Sequence, residues 1–129
     1  IEASVAAKVD QFVMVSSLGV THADHPLNKR FGNVMVWKLK AENLLRSSGL
    51  AYTIVRPGGL TEDIGRQNAL VFDQGDKLES GRISRDDVAD ICVAALDNEN
   101  VRGKTFEVIS EEGAATRDWS SLFGRLAAD

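Results

Sequence analysis

Residues 51–59 have the sequence Ala-Tyr-Thr-Ile-Val-Arg-Pro-Gly-Gly, and this segment decides the fold class. Its first part, residues 51–55, is a short apolar run, which is typical of a strand buried on both faces of a parallel sheet. Pro57 ends such a strand because proline donates no ladder hydrogen bond, and the glycines let the backbone approach another group closely. The segment therefore predicts a buried strand that leads into a binding loop.

A similar apolar run, residues 12–15, comes earlier in the chain and ends at the sequence Ser16-Ser17-Leu18-Gly19. The two runs are joined by residues 31–48, which we predict to be a helix that stops at Gly49. The predicted buried face of this helix consists of Val34, Trp37, Lys38, Ala41, Leu44, Leu45 and Ser48. A strand, a helix and a second strand in this order favour a βαβ unit with parallel strands.

The remaining segments continue this alternation. We predict helices at residues 1–8 and 116–128, a loop at 20–30, a strand at 104–110, and two weaker strands at 68–72 and 77–83 around a turn at 73–76. Two apolar stripes indicate buried helix faces: Val88, Ile91, Cys92, Ala95 and Leu96 after a cap at Ser84, and Trp119, Leu122, Phe123 and Leu126. The fold class is therefore α/β, with a Rossmann-like, mostly parallel sheet flanked by helices.

The composition is that of one ordinary globular domain, with 129 residues, 43% hydrophobic residues and a net charge of −4. The mild acidity argues against nucleic acid as a partner, because phosphate binding needs a basic face. No apolar run approaches the roughly 20 residues that span a bilayer. The first residues have no signal-peptide layout, and the single Cys92 is compatible with a reducing compartment. We expect a cytoplasmic protein, or a protein of the plastid stroma if the source is a plant.

Polar residues stand at two loops that should lie at the carboxyl edge of the sheet, where open parallel sheets bind their ligands. The first loop carries Ser16 and Ser17, whose hydroxyls could bind a substrate carbonyl or a cofactor amide, or could satisfy only local backbone groups. Lys38 lies on the predicted packing face of its helix, so it must either extend to solvent or bind a polar group. An ordinary helical ion pair with Glu42 is the alternative.

Two further patterns are weaker. His22 and His25 have metal-ligand side chains but no third or fourth ligand at a zinc-like spacing, so a loop that faces solvent or substrate is favoured over a metal site. Cys92 lies on an apolar helical stripe and is interpreted as a core residue, not as a reactive thiol. Trp37 and Trp119 have apolar neighbours at helical spacing, and packing is the interpretation for both.

Taken together, these motifs resemble those of an atypical short-chain dehydrogenase/reductase. They are a strand that ends in Ser-Ser, a helix with a lysine four residues before a glutamate, and a strand that ends in Arg-Pro-Gly-Gly. Residues 83–90, Ile-Ser-Arg-Asp-Asp-Val-Ala-Asp, are similar to a late element of the same family. Residues 24–28 and 36–42 resemble its NAD(P)-binding, NmrA-like group of cyanobacteria and plant plastids. The resemblance covers nearly all of residues 1–112.

The resemblance implies a Rossmann fold with bound NADP or NAD, NADP being favoured. It implies that Ser17, or else Ser16, orients the substrate and that Lys38 holds the nicotinamide ribose. It places Pro57, Gly58, Gly59 and Leu60 in the loop that passes near the nicotinamide. The family's proton-transferring tyrosine corresponds to Val34, and valine cannot transfer a proton. Two functions stay open: an oxidoreductase or nucleotide-sugar epimerase acting on a small carbonyl or hydroxyl compound, and a non-catalytic NADP(H)-binding redox sensor or scaffold.

The Gly-rich phosphate loop of such a fold is not found among the 11 glycines. We therefore expect residues 1–129 to form the C-terminal portion of a single Rossmann-like domain whose N-terminal βαβ units lie outside this sequence. The strand at residues 12–15 should then be an exposed apolar edge. We expect it to associate with the missing segment or with another chain, and the 129 residues alone to bind cofactor only weakly.

Overall fold

The computed structural model describes residues 1–129 and contains six strands and five helices. The strands are β1 (Phe12–Val15), β2 (Tyr52–Pro57), β3 (Gly59–Thr61), β4 (Ala69–Asp73), β5 (Arg82–Ser84) and β6 (Lys104–Glu111). The helices are α1 (Glu2–Ala6), α2 (Pro26–Arg30), α3 (Val34–Arg46), α4 (Arg85–Leu96) and α5 (Trp119–Gly124), with a 3₁₀ turn at Glu99–Val101.

All six strands belong to one curled sheet with the order β1-β2-β6-β5-β3, and β4 also pairs with β6. The strands β1, β2 and β6 are mutually parallel, as are β3 and β5. Antiparallel pairs join β4 and β5 to β6. The α/β, Rossmann-like, mostly parallel sheet that the sequence predicts is therefore confirmed.

The two faces of the sheet differ in polarity because side chains alternate along each strand. One face carries Val55, Phe106 and Val108, which pack with α4 and α5 in the main apolar core. The opposite face of β2 and β6 meets α3 and carries Arg56, Thr105 and Glu107, all buried. The sheet therefore has an apolar face that packs against α4 and a polar, charged face that packs against α3.

This polarity explains why the predicted buried face of α3 is wrong in part: Leu45 is buried and Lys38 half-buried as predicted, but two of its apolar residues are exposed. The helix turns Met35, Glu42 and Leu45 toward the sheet, while Trp37 and Leu44 are 63% and 51% exposed. The side chains that α3 buries against the sheet include the Glu42 carboxylate. A prediction from apolar residues alone therefore places the buried face about one residue away from its observed position. The packing role expected for Trp37 is also wrong, since Lys40 lies over its ring, 4.2 Å from the centroid, on the outer surface.

Several predicted boundaries also change. The first helix is shorter than residues 1–8 and buries no residue, and the predicted loop at 20–30 contains α2. The predicted helix at 31–48 is trimmed to α3, and that at 116–128 to α5, where Trp119 does stack on Phe123. The predicted strand at 77–83 shrinks to β5, while β3 was not predicted because its glycine and its three-residue length suggest a loop.

The helix after Ser84 forms as predicted, except that Leu96, the last residue of its predicted buried stripe and of α4, is 50% exposed. The Ser84 hydroxyl caps α4 by accepting a hydrogen bond from the Asp87 amide at 3.0 Å. Val88, Ile91 and Ala95 are buried on its inner face, and burial raises the pKa of the Cys92 thiol above its ordinary value. A raised pKa keeps the thiol protonated, which agrees with a packing role for Cys92.

The strand β1 lies at one end of the sheet, as expected, and pairs only with β2. Its last residue, Val15, is 43% exposed. The other side of β1 therefore presents unpaired backbone groups next to apolar side chains. None of the helices has the length and apolar character that crossing a membrane requires.

Candidate functional site

The two predicted loops meet at the carboxyl ends of β1 and β2. Hydrogen bonds continue the pairing beyond the strands, from the Ser16 amide to the Val55 carbonyl at 2.7 Å and from the Leu18 amide to the Pro57 carbonyl at 3.0 Å. The serine loop is therefore held directly beside the Arg-Pro-Gly-Gly loop. This is the sheet edge at which α/β folds bind their ligands.

Lys38 reaches this edge from α3. Its ammonium donates a hydrogen bond to the Ser16 carbonyl at 3.3 Å, and the residue is half-buried. The alternative ion pair between Lys38 and Glu42 is wrong, because Glu42 is bound by two arginines instead. An ammonium has three donors. Lys38 thus keeps donors for a ligand while its position is fixed by the serine loop.

The two serines differ in their surroundings. The Ser17 hydroxyl donates a hydrogen bond to the Leu18 carbonyl at 3.2 Å. This is a local backbone contact, which was the alternative to ligand binding for this serine. The Oγ atom of Ser16 is buried and has no hydrogen-bond partner at ordinary distance, although it lies close enough to Glu42 to help lower the pKa of that carboxyl. Val34 is the first residue of α3 and lies one helical turn before Lys38.

In the second loop, which follows β2, the glycines allow a close contact with another segment of the protein's own backbone, at Gly81. A Cβ atom on Gly58 would lie 2.5 Å from the Gly81 carbonyl oxygen. The amide of Gly59 donates to the same carbonyl at 2.9 Å, and Gly59 and Leu60 belong to β3. Pro57 is buried, whereas Leu60 is exposed. Gly58 is therefore required by the packing of β5, whatever ligand the loop contacts.

Gly58→Ala is expected to destabilise the protein by about 1–3 kcal/mol, because the added methyl group meets backbone atoms that cannot move aside easily. Gly124→Ala is the matched control, since a Cβ atom there meets nothing within 4 Å. Urea unfolding measures both changes. Equal stability of the two variants would show that the loop accommodates the methyl group and that Gly58 has no packing role.

A buried ion pair that the sequence analysis missed joins α3 to β2. Arg56 donates from Nε and a terminal nitrogen to the two Glu42 oxygens at 3.0 and 2.7 Å, and Arg46 donates to Glu42 at 3.0 Å. Burial alone would raise the pKa of Glu42, but the hydrogen bonds and charge of Arg56, the nearby Ser16 hydroxyl and the hydrogen bond of Arg46 outweigh it and lower the pKa. The pair fixes the register of α3, and hence of Lys38, against the end of β2.

Glu107 completes this cluster, and its pKa is shifted in the opposite direction to that of Glu42. It is fully buried, and its Oε1 atom lies 3.6 Å from Arg56 without a hydrogen-bond partner. Burial is the largest influence and raises the pKa of Glu107. The backbone amides of residues 76 and 77 and the Arg56 charge oppose the rise, and the Asp76 carboxylate adds to it. No sequence signal identifies the cluster, because its members come from a helix, two strands and a turn that are far apart in the chain.

His25 of the loop has a structural role. Nδ1 of His25 accepts a hydrogen bond from the Leu27 amide at 3.2 Å and so caps α2. No group of three histidine, cysteine, aspartate or glutamate side chains is arranged to hold a metal ion.

Residues 1–99 match the family model that is described as NAD(P)H-binding, and this range includes the serine, lysine and glycine segments described above. The chain is 42% identical, over 98% of its length, to an uncharacterized chloroplast protein of Arabidopsis thaliana, and covers 41% of that protein. It is also 42% identical, over 92% of its length, to sanguinarine reductase of Eschscholzia californica, and covers 46% of it. The chain thus spans less than half of the length of these two relatives.

The fold also has a close counterpart among solved structures. A Bacillus halodurans protein assigned as an NAD-dependent epimerase/dehydratase superposes with a TM-score of 0.78 at 31% identity. The superposition covers 88% of this chain and 52% of that protein.

Proposed function

This chain belongs to the NAD(P)H-binding, Rossmann-type family of atypical short-chain dehydrogenases/reductases, and we propose that it forms the nicotinamide and substrate side of an NAD(P)H-dependent reductase. The observation that carries the proposal is the contact between the Lys38 ammonium and the Ser16 carbonyl, beside Pro57 at the carboxyl edge of the sheet. NADPH is the proposed cofactor, and a small carbonyl or related compound is the proposed substrate.

The residues at this edge fit the nicotinamide-ribose end of such a cofactor. Lys38 has ammonium donors to spare for ribose hydroxyls, and Ser17 places a hydroxyl at the same edge. The bound cofactor supplies the hydride. The chain's own contribution is to hold the ribose through Lys38, to orient the substrate oxygen through Ser17, and to stabilise the negative charge that develops there. For this the Ser17 hydroxyl has to rotate away from the Leu18 carbonyl, because it has one hydrogen to donate.

Proton transfer needs a group other than the side chain at position 34. Val34 has no acidic hydrogen, so we propose that water or a substrate hydroxyl, held near Ser17 and Lys38, provides the proton. The positive charge of Lys38 would favour this step, because it stabilises the anion left by the donor. If no proton donor is held there, the protein would bind NADPH without turning it over and would act as a sensor.

We expect the full-length protein to bind NADPH more tightly than NADH, as measured by nicotinamide fluorescence during titration. A panel of carbonyl substrates that includes sanguinarine, the compound named for one relative, then tests for turnover. Absence of binding at high micromolar cofactor would reject the reductase proposal. Tight binding without oxidation of NADPH by any substrate would instead support the sensor role.

We further propose that the open edge of β1 receives a strand from another segment of the protein or from another chain. The support is its unpaired outer side and the exposed Val15. Residues 1–129 expressed alone should then associate in size-exclusion chromatography. A stable monomer of this length would contradict the proposal. The chloroplast relative makes the plastid stroma a candidate location beside the cytoplasm.

A further inference from the structure

The turn at residues 74–77, between β4 and β5, holds the loop that follows β1. Asp76 in this turn is only 7% exposed. One of its carboxylate oxygens accepts a hydrogen bond from the Gly19 amide at 2.7 Å. The other accepts from the amide and the hydroxyl of Thr21 at 2.9 and 2.6 Å. A single buried side chain thus binds three donors of the loop that carries Ser16 and Ser17.

The turn is itself fixed to the centre of the sheet. The Gln74 side chain donates to the carbonyls of Thr105 and Ala127, both at 2.9 Å. The Lys77 amide donates to Glu107 at 3.1 Å. The strand β6 is also the parallel neighbour of β2. The turn therefore holds the serine loop at a fixed distance from these two central strands.

The hydrogen bonds of Asp76 are charge-assisted. Burial alone would raise its pKa, but the bonds from Thr21 and Gly19 outweigh burial and lower it, and the Arg56 charge adds to the effect. Asp76 is therefore a carboxylate at neutral pH, and hydrogen bonds to a carboxylate are stronger than those to a neutral acceptor.

The loop itself has little freedom to adjust. Gly19 has a φ of +78°, and a Cβ atom there would lie 2.9 Å from the His25 ring. The backbone at Gly19 thus adopts a conformation that side chains rarely allow, between the Asp76 carboxylate on one side and the His25 imidazole on the other. Release of one side should let the loop move.

We propose that Asp76 is a positioning residue for the nicotinamide site: it fixes the loop of Ser16 and Ser17 relative to Lys38 and so sets the geometry of the bound cofactor and substrate. The inference rests on the proposed reductase function. Misplacement of a reacting group by about 1 Å can reduce a rate by roughly 100-fold, so a residue that touches neither ligand can still have a large effect.

The test compares the full-length wild-type protein with the variants Asp76→Asn and Thr21→Val. The control is Glu79→Gln, because this side chain is exposed in the same connection between β4 and β5. NADPH affinity, turnover and amide hydrogen exchange are measured for each. For Asp76→Asn we expect about tenfold weaker NADPH binding, a larger loss of turnover, and faster exchange confined to residues 16–21. Thr21→Val, which removes only one bond and does not threaten folding, should show a smaller change of the same kind.

A merely structural role would raise exchange throughout the protein and lower its melting temperature, without a selective effect on the loop. If wild type binds NADPH and Asp76→Asn binds it equally well with equal turnover, the positioning role is overturned while the reductase proposal stands. If wild type binds no NADPH, the proposed function fails and the positioning role fails with it.

Discussion

Glu42→Gln is expected to lower the free energy of unfolding by about 3–5 kcal/mol at pH 7. Glu107→Gln, the same isosteric change at an equally buried carboxyl, is expected to leave it within about 1 kcal/mol of wild type or to raise it. Both side chains are fully buried where α3 meets the sheet. The two predictions differ because the fold lowers the pKa of Glu42 and raises that of Glu107, so burial disfavours the charge only at Glu107.

Glu42 is an ionised partner of two cations. Arg56 binds it through two hydrogen bonds and is itself 5% exposed, so a neutral amide at position 42 would leave a buried guanidinium without its hydrogen-bonded carboxylate, while Glu107, the other carboxyl in salt-bridge range, lies at 3.6 Å. Breaking one side of a buried ion pair costs far more than the pair contributes when intact, since the remaining charge keeps its desolvation cost. Loss of these hydrogen bonds in Glu42→Gln should also loosen the packing of α3 on β2.

Glu107 is in the opposite situation. Its nearest cation lies at 3.6 Å and is already paired with Glu42, while its pKa is raised by burial. A glutamine at this position has a similar shape and removes the charge that burial disfavours. The amide can still accept the hydrogen bond that Lys77 donates.

The pH dependence gives an independent test with opposite signs. The folded pKa of Glu42 lies below its ordinary value of 4.5, so its stabilisation is present above pH 4.5 and is lost as the pH falls through the folded pKa. The folded pKa of Glu107 lies above 4.5, so its contribution is present below pH 4.5 and is lost as the pH rises through the folded pKa. The cost of Glu42→Gln should therefore shrink in acid, and any gain from Glu107→Gln should grow as the pH rises.

Urea unfolding of the full-length variants, from the lowest pH at which the protein stays folded up to about pH 8, measures both trends, with unchanged m-values as the check that unfolding stays cooperative. A similar destabilisation by both variants at pH 7 would mean that both carboxyls are ionised. A negligible cost for Glu42→Gln would mean that its ion pair with Arg56 does not hold α3 in place.

The sequence predicted those parts of the fold that depend on apolar pattern and turn residues. The runs at residues 12–15 and 51–55 give the parallel strands β1 and β2, and the Ser84 cap begins α4. Part of the predicted face of α3, Trp37 and Leu44, is wrong for a physical reason. The pattern assumes that buried means apolar, whereas this helix buries Glu42 and exposes Trp37.

The site was predictable where its residues follow strands directly. Ser16, Ser17 and Pro57 were placed at one sheet edge by topology alone, and Lys38 by helical spacing and family resemblance. The Asp76 contact and the Arg56 ion pair were not predictable, because both join segments that are remote in sequence and depend on how a turn and a helix pack. The sequence also shows that Val34, one turn before Lys38, replaces the tyrosine of the family. Whether this replacement prevents catalysis depends on which other group can supply a proton.

Lys38→Ala is expected to weaken NADPH binding by about 10- to 100-fold, the usual effect of removing hydrogen bonds from a charged donor. Turnover, where a substrate is found, should fall by about 100- to 10,000-fold. Lys40→Ala is the matched control on the same helix, because its ammonium lies over the Trp37 ring on the outer surface. It removes the same charge and should leave both quantities unchanged.

The pair separates a site-specific role of Lys38 from a general effect of positive charge. An equal loss in both variants would show that the basic charge of α3 attracts the anionic cofactor without a specific contact. Lys38→Arg adds a further distinction, since arginine keeps the charge but has a planar, larger donor group. If Lys38→Arg restores affinity but not turnover, the lysine both attracts the cofactor and positions it. If Lys38→Ala binds NADPH as wild type does, the contact between Lys38 and the Ser16 carbonyl serves only to hold the loop.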